Sequence, residues 1–132
     1  MSATFHDLQQ PDHPLNGTRL DDGPAVRQLL TALRRREPFM FELCGSNGLR
    51  LLIGLANERA VVQFSSADGE PPYLMALDKN GAAEDGFIEF LVNDTPTPIP
   101  RRFCLPVETV RMIAIEFVSD GTQSSLVNWE EI

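Results

Sequence analysis

The sequence predicts an α+β fold: a single antiparallel β-sheet of five to six strands in a meander, with an N-terminal and a C-terminal helix packed on one face. Three observations carry this. Apolar residues recur at helical spacing in two segments, one before and one after a strand-rich middle. Within that middle, apolar residues alternate in short runs. Clusters of Gly, Asn, Asp and Pro separate the runs by few residues, which suits antiparallel neighbours and is too short for parallel crossovers. The 132 residues are the length of one domain. We read a polar, partly ordered lead over 1–23 and one α+β domain over 24–132.

The lead is punctuated by Pro11, Pro14, Gly17 and Gly23, and disorder or a loose wrap over the surface is expected there. A helix is predicted over 24–36. Pro24 suits its first turn, Asp21 and Asp22 sit near its positive end, and Val26, Leu29, Leu30 and Leu33 share one face. Arg34, Arg35 and Arg36 complement its negative end, and Pro38 forbids continuation.

Phe39, Phe41 and Leu43 then alternate with Met40, Glu42 and Cys44, and Gly45-Ser46-Asn47-Gly48 reads as a turn. Leu49, Leu51, Ile53 and Leu55 mark a second strand, Asn57-Glu58-Arg59 a second turn, and Ala60 to Ser65 a third strand. Asp68-Gly69-Glu70-Pro71-Pro72 is a rigid acidic loop before a short strand over 73–77. Asp78 opens another loop, and Phe87 to Val92 is a strand with Ile88, Phe90 and Val92 on one face. Thr95 to Pro100 holds three prolines and can only be an edge strand or an extended loop. Pro106 opens the second helix, Glu108 lies in its first turn, Val107, Val110, Ile113, Ala114 and Phe117 line one face, and Gly121 ends it. In the tail, Val127 and Trp129 share a side, and Trp129 is assigned to packing against the sheet edge.

An apolar share of 42% with 23% charged residues fits a globular chain with a real core. A net charge of −8 argues against nucleic acid or an anionic membrane as the partner, since both reward clustered Lys and Arg. No apolar run reaches the length of a membrane span, and the first residues lack the pattern of a signal peptide. Two cysteines sixty positions apart, Cys44 and Cys104, make no disulfide framework, so a cytoplasmic location is expected.

Catalytic residues are sparse. His6 and His13 both lie in the lead, so a Cys–His pair would require the lead to fold back onto a strand. There is no CxxC, no HExxH and no phosphate-binding loop. No cofactor and no metal are expected, and catalysis is not. Arg101-Arg102 should supply one ion pair to the fold.

The charge is uneven. Residues 60–100 carry seven acids and one lysine, so −6 of the −8. An acidic face that docks a basic protein is the sharper reading, and a solvated surface is the plain one. The candidate contacts are Asp68, Glu70, Asp78, Glu84, Asp85 and Asp94, with Tyr73 as an apolar anchor beside Pro71-Pro72.

From about residue 40 onward, a series of pieces falls in a familiar order. These are Leu51-Leu52-Ile53-Gly54, Ala60-Val61-Val62-Gln63-Phe64, Asp68 to Tyr73, Gly86-Phe87-Ile88-Glu89-Phe90, Ile99-Pro100-Arg101-Arg102, Leu105-Pro106-Val107-Glu108 and Val127-Asn128-Trp129-Glu130-Glu131. In that order they resemble the first-numbered immunity family of bacterial polymorphic toxin systems, which is paired with deaminase-fold toxins. The chain departs from that family's pattern at Pro98, where many relatives carry an acid, and after Gly121, where many carry Gly-x-Arg-Pro. The resemblance implies a non-enzymatic inhibitor that binds the C-terminal domain of a cognate toxin and blocks its active site, as a monomer or weak homodimer. The competing expectations are a secretion chaperone for an effector and a small enzyme using buried carboxylates.

Overall fold

A computed structural model describes residues 1–33, 39–56, 59–79, 85–92 and 95–132. The elements are β1 (Ala3–Asp7), β2 (Arg19–Leu20), α1 (Gly23–Ala32), β3 (Phe39–Gly45), β4 (Leu49–Ala56), β5 (Arg59–Ser66), β6 (Leu74–Leu77), β7 (Phe87–Val92) and β8 (Thr95–Pro100). A 3₁₀ turn (Arg101–Phe103), β9 (Leu105–Pro106), α2 (Val107–Asp120) and β10 (Asn128–Glu131) complete them.

The fold is α+β with a mostly antiparallel sheet. It has more strands than expected: ten among the described residues, ordered β10-β6-β5-β4-β3-β1-β2, with β7–β8 and β9 off this path. The meander β3-β4-β5-β6 has the short links the sequence indicated. One pairing is parallel, between Phe39 of β3 and Leu91 of β7. It lets β7 take up the edge of β3 where β1 stops, since β1 ends at Asp7 opposite Phe41.

The helices form as their sequences dictate. Asp22 caps α1, its carboxylate accepting from Ala25 N at 2.9 Å, with Pro24 in the first turn. The expected basic end at Arg34–Arg36 and the stop at Pro38 lie outside the described residues. Gly121 caps α2 at φ 70°, a left-handed conformation that favours glycine. The Asn47 side chain donates to the Gly121 carbonyl at 3.0 Å, tying the β3–β4 turn to the helix end.

Paired strand residues share a face, so the register sorts the side chains. One face carries Phe39, Phe41, Leu43, Leu51, Ile53, Val62 and Phe64, and Leu29, Leu30 and Leu33 of α1 with Val110, Ile113 and Phe117 of α2 cover it. Phe64 meets Phe117 edge-on at 6.0 Å and Trp129 at 5.9 Å. Trp129 also donates Nε1–H to Ser124 O at 2.9 Å, so it does pack on the edge beside β6. The other face is apolar at Met40, Ala56, Val61 and Met75, and the β7–β8 hairpin folds over it with Phe90, Ile88, Val92 and Ile99. Gly54 makes this approach possible, because a Cβ there would lie 2.8 Å from both the Phe90 ring and Val61.

The first 23 residues differ from the loose polar lead that composition suggested. β1 pairs with β3 over its whole length, and Ala3, Phe5 and Leu20 are buried in the core under the helices. The polar residues between serve the backbone. The buried Asp7 carboxylate accepts from Gln9 N at 2.7 Å and Gln10 N at 3.1 Å, and Asn16 accepts from Asp7 N at 2.7 Å.

Two expected outcomes follow from this packing. Phe5→Ala should destabilise the protein by about 3–5 kcal/mol, measured by urea unfolding, although it lies in the most polar stretch of the chain. Gly54→Val should cost roughly 1–3 kcal/mol by overpacking and should loosen the hairpin first, seen as faster amide exchange over 87–92.

Candidate interaction surface

The hairpin covers only part of its face of the sheet. Beyond it the face turns polar: His6 on β1, Glu42 and Cys44 on β3, Arg50 on β4 and Ser65 on β5 follow one another across the strands. Arg50 holds Glu42 at 3.2 Å and donates to Ser65 Oγ at 3.2 Å. The lead does fold back here: pairing of β1 with β3 puts His6 Nδ1 3.7 Å from Glu42 Oε1.

His6, Glu42 and Cys44 each offer a ligand atom, and these lie within 4.8 Å of one another. The chemistry of the set fits a metal poorly. Glu42 is committed to a guanidinium, which repels a cation. The Cys44 thiol is pushed up to about 11, first by burial and then by the Glu42 carboxylate, so it is neutral near pH 7 and neither an activated nucleophile nor a ready ligand. Cys104 is buried among the apolar residues under the hairpin, where it packs as a small apolar side chain.

Under the hairpin lies a cavity of about 240 Å³ between Met40, Leu52, Val61 and Met75 of the sheet and Val92, Ile99 and Phe103 above, with Ile132 at its rim. Among the described residues its lining contains no acidic side chain, and Gln63 and Thr97 are the polar side chains there. It is smaller than most small-molecule sites, which run to roughly 300–1,000 Å³.

The candidate acids among the described residues do not gather in one place. Asp68, Glu70 and Tyr73 occupy the β5–β6 loop at one end of the sheet. Asp78 leaves the opposite end of β6, a strand's length or about 13 Å away. Asp85 precedes β7, next to Gly86, whose carbonyl accepts from Arg101 N at 2.9 Å. Asp68, Glu70, Asp78 and Asp85 are exposed, and Glu84 and Asp94 lie outside the described residues.

The Asp68 loop is internally bonded. Asp68 accepts from Glu70 N at 2.9 Å, and that bond, followed by one from Ser66, holds its carboxyl below the usual carboxylate range. Tyr73 is half-buried. Its hydroxyl donates to the Gly69 carbonyl, and its own carbonyl accepts from Ile132 N at 2.9 Å. Of the two arginines after β8, Arg102 supplies the expected ion pair, to Glu130 at 2.8 Å.

The cluster on β1 and β3 was not legible beforehand, because a strand pairing sets it and both histidines sat in a stretch with no apolar period. The outer side of β7 was legible: if Ile88, Phe90 and Val92 point inward, Phe87, Glu89 and Leu91 point out.

The raised Cys44 pKa has a consequence for pH. The folded state prefers the neutral thiol, so its contribution to stability is present below the ordinary thiol value of 9.0 and is lost as pH rises toward 11. At pH 8, Ellman's reagent should label Cys44 much more slowly in the folded chain than in urea, and labelling should accelerate toward pH 11. Equal rates in both states would contradict it.

No helix among the described residues is long and apolar enough to cross a membrane. No curated protein matches the chain. A protein-family model described as Immunity protein Imm1 matches residues 21–131, a span that runs from the cap of α1 to the end of β10 and takes in both helices and the whole meander. The chain therefore belongs to the Imm1 family of immunity proteins.

Proposed function

We propose that this protein is a non-catalytic immunity factor. It binds the C-terminal domain of a cognate bacterial toxin of the deaminase fold, in the cytoplasm of the cell that makes both, and blocks the toxin's active site. The observation that carries this reading is the family match across residues 21–131.

The surface chemistry supports it. A toxin acting on nucleic acid or nucleotides presents a basic approach to its pocket. A chain of net charge −8 with −6 concentrated in residues 60–100 speeds encounter with such a surface and disfavours binding to the nucleic acid itself. The apolar lining of the cavity under the hairpin supports a binding role over a carboxylate enzyme. Neutralising a lethal enzyme calls for nanomolar affinity, about −12 kcal/mol. Charge steers the encounter, and buried apolar contacts hold the complex. In this reading Asp68, Glu70, Asp78, Glu84, Asp85 and Asp94 steer, Tyr73 is a contact at the loop end, and the protein acts as a monomer or weak homodimer.

Co-expression should rescue growth of cells producing the toxin domain encoded beside this gene, and calorimetry should show a one-to-one complex. An effector chaperone would instead bind an unfolded segment upstream of that domain. Absence of both rescue and complex would sink the proposal. Reversing the charges of Asp68 and Glu70, or of Asp78 and Asp85, should lower the association rate several-fold at low salt and flatten its salt dependence. Stopped-flow mixing with the toxin domain reads this directly.

A further inference from the structure

The separation of Asp68 and Glu70 from Asp78 raises the question of where a partner is held once steered. At the Asp68 loop two of the polar groups are already engaged: Asp68 by the Glu70 amide, the Tyr73 hydroxyl by the Gly69 carbonyl. The hairpin offers a different surface. Its register sets Phe87 opposite Pro100, Glu89 opposite Pro98 and Leu91 opposite Pro96. Because Ile88, Phe90, Val92 and Ile99 pack inward, Phe87, Glu89, Leu91, Pro96 and Pro98 form the outer side, while Pro100 also borders the cavity beneath. Phe87 is 63% exposed, more than any other large apolar side chain described. Glu89 is also exposed, lies between Phe87 and Leu91, and makes no ion pair among the described residues.

The prolines fix how this surface can be used. They occupy alternate positions of β8, and β8 keeps its ladder to β7, so the positions lacking N–H are those turned to the outer edge. That edge has no donors there to extend the sheet with another strand. Recognition has to come through side chains, on a plate of Phe and Pro whose rigidity lowers the ordering cost of binding.

We propose that the outer face of the β7–β8 hairpin is the anchor patch for the toxin, and that its occupant is an arginine of the toxin's basic surface. This rests on the immunity reading above. A guanidinium is the group that fits: it pairs with the Glu89 carboxylate through two hydrogen bonds and stacks its plane on the Phe87 ring. The apolar residues around Glu89 exclude water and strengthen that pair. A second copy of this chain fits badly. A two-fold contact centred on this face would set Glu89 against its own copy, between chains of net charge −8.

The test uses the full chain and an inactive form of the toxin domain encoded beside it. Phe87→Ala and Glu89→Lys lie on an exposed surface, and their melting curves should match wild type. Phe87→Ala should weaken binding by at least roughly tenfold and Glu89→Lys by on the order of a hundredfold, mainly through faster dissociation. Asp68→Asn with Glu70→Gln should change dissociation by less than about threefold. Amides of residues 87–92 should gain protection from exchange in the complex. Wild type that binds while both hairpin variants dissociate within about threefold of it would overturn the anchor and leave the immunity reading standing. Protection confined to residues 66–74 would do the same, as would a wild-type homodimer that Phe87→Ala dissolves. Wild type that fails to bind the toxin domain at all would overturn both.

Discussion

The central strands β3, β4 and β5 are apolar along the whole of one face and along part of the other, and the architecture answers that one fact. A sheet with one apolar face needs one layer of helices. Here Phe41, Ile53 and Val62 demand cover on one side while Met40, Val61 and Met75 demand it on the other. Burial of apolar area is the dominant favourable term in folding, so neither face can be left to water. Two helices supply one layer. Among the described residues no third helix covers the second face, and a hairpin packs there instead. Gly54 is the point at which the sheet admits it, because the Phe90 ring occupies the space a Cβ would fill.

This division of labour shapes the surface that a partner meets. The hairpin covers one region of its face and leaves the polar row of His6, Glu42, Arg50 and Ser65 uncovered, where ion pairing and hydrogen bonds satisfy most of it locally. Recruiting β7–β8 as a lid also turns its outer side to solvent, with Phe87 exposed. The acids fall at strand ends because the faces of the inner strands are committed to packing. Asp68 and Glu70 precede β6 and Asp78 follows it, so these exposed acids lie apart on the surface.

Much of this was legible beforehand. Helical spacing, with Pro24 at the start of one helix and Gly121 at the end of the other, located both helices, and short apolar runs located β3 to β7. The three prolines of β8 narrowed that segment to an edge strand or an extended loop, and its pairing with β7 makes it the strand. The serial order of short motifs pointed to an immunity family, which the match over residues 21–131 shows. What escaped has a common physical cause. β1 was hidden because five residues of alternation, Ala3 to Asp7, were outweighed by the polar stretch behind them, yet Phe5 lies at the bottom of the core with no exposure. The meeting of His6, Glu42 and Cys44 was hidden because register is a relation between strands.

The sequence by itself determined both helices and the strands β3 to β7, which side of each is apolar, and where the charge is concentrated. These depend on periodicities of 3.6 and 2 and on turn chemistry, all of which act within a few residues. The tertiary structure alone decided that β1 lies beside β3, that β7 runs parallel to β3 at Leu91, and that Asp68 and Asp78 are held apart. Those outcomes follow from which partner buries the most apolar surface at the least cost in chain closure, a competition between residues far apart along the chain that no local pattern encodes.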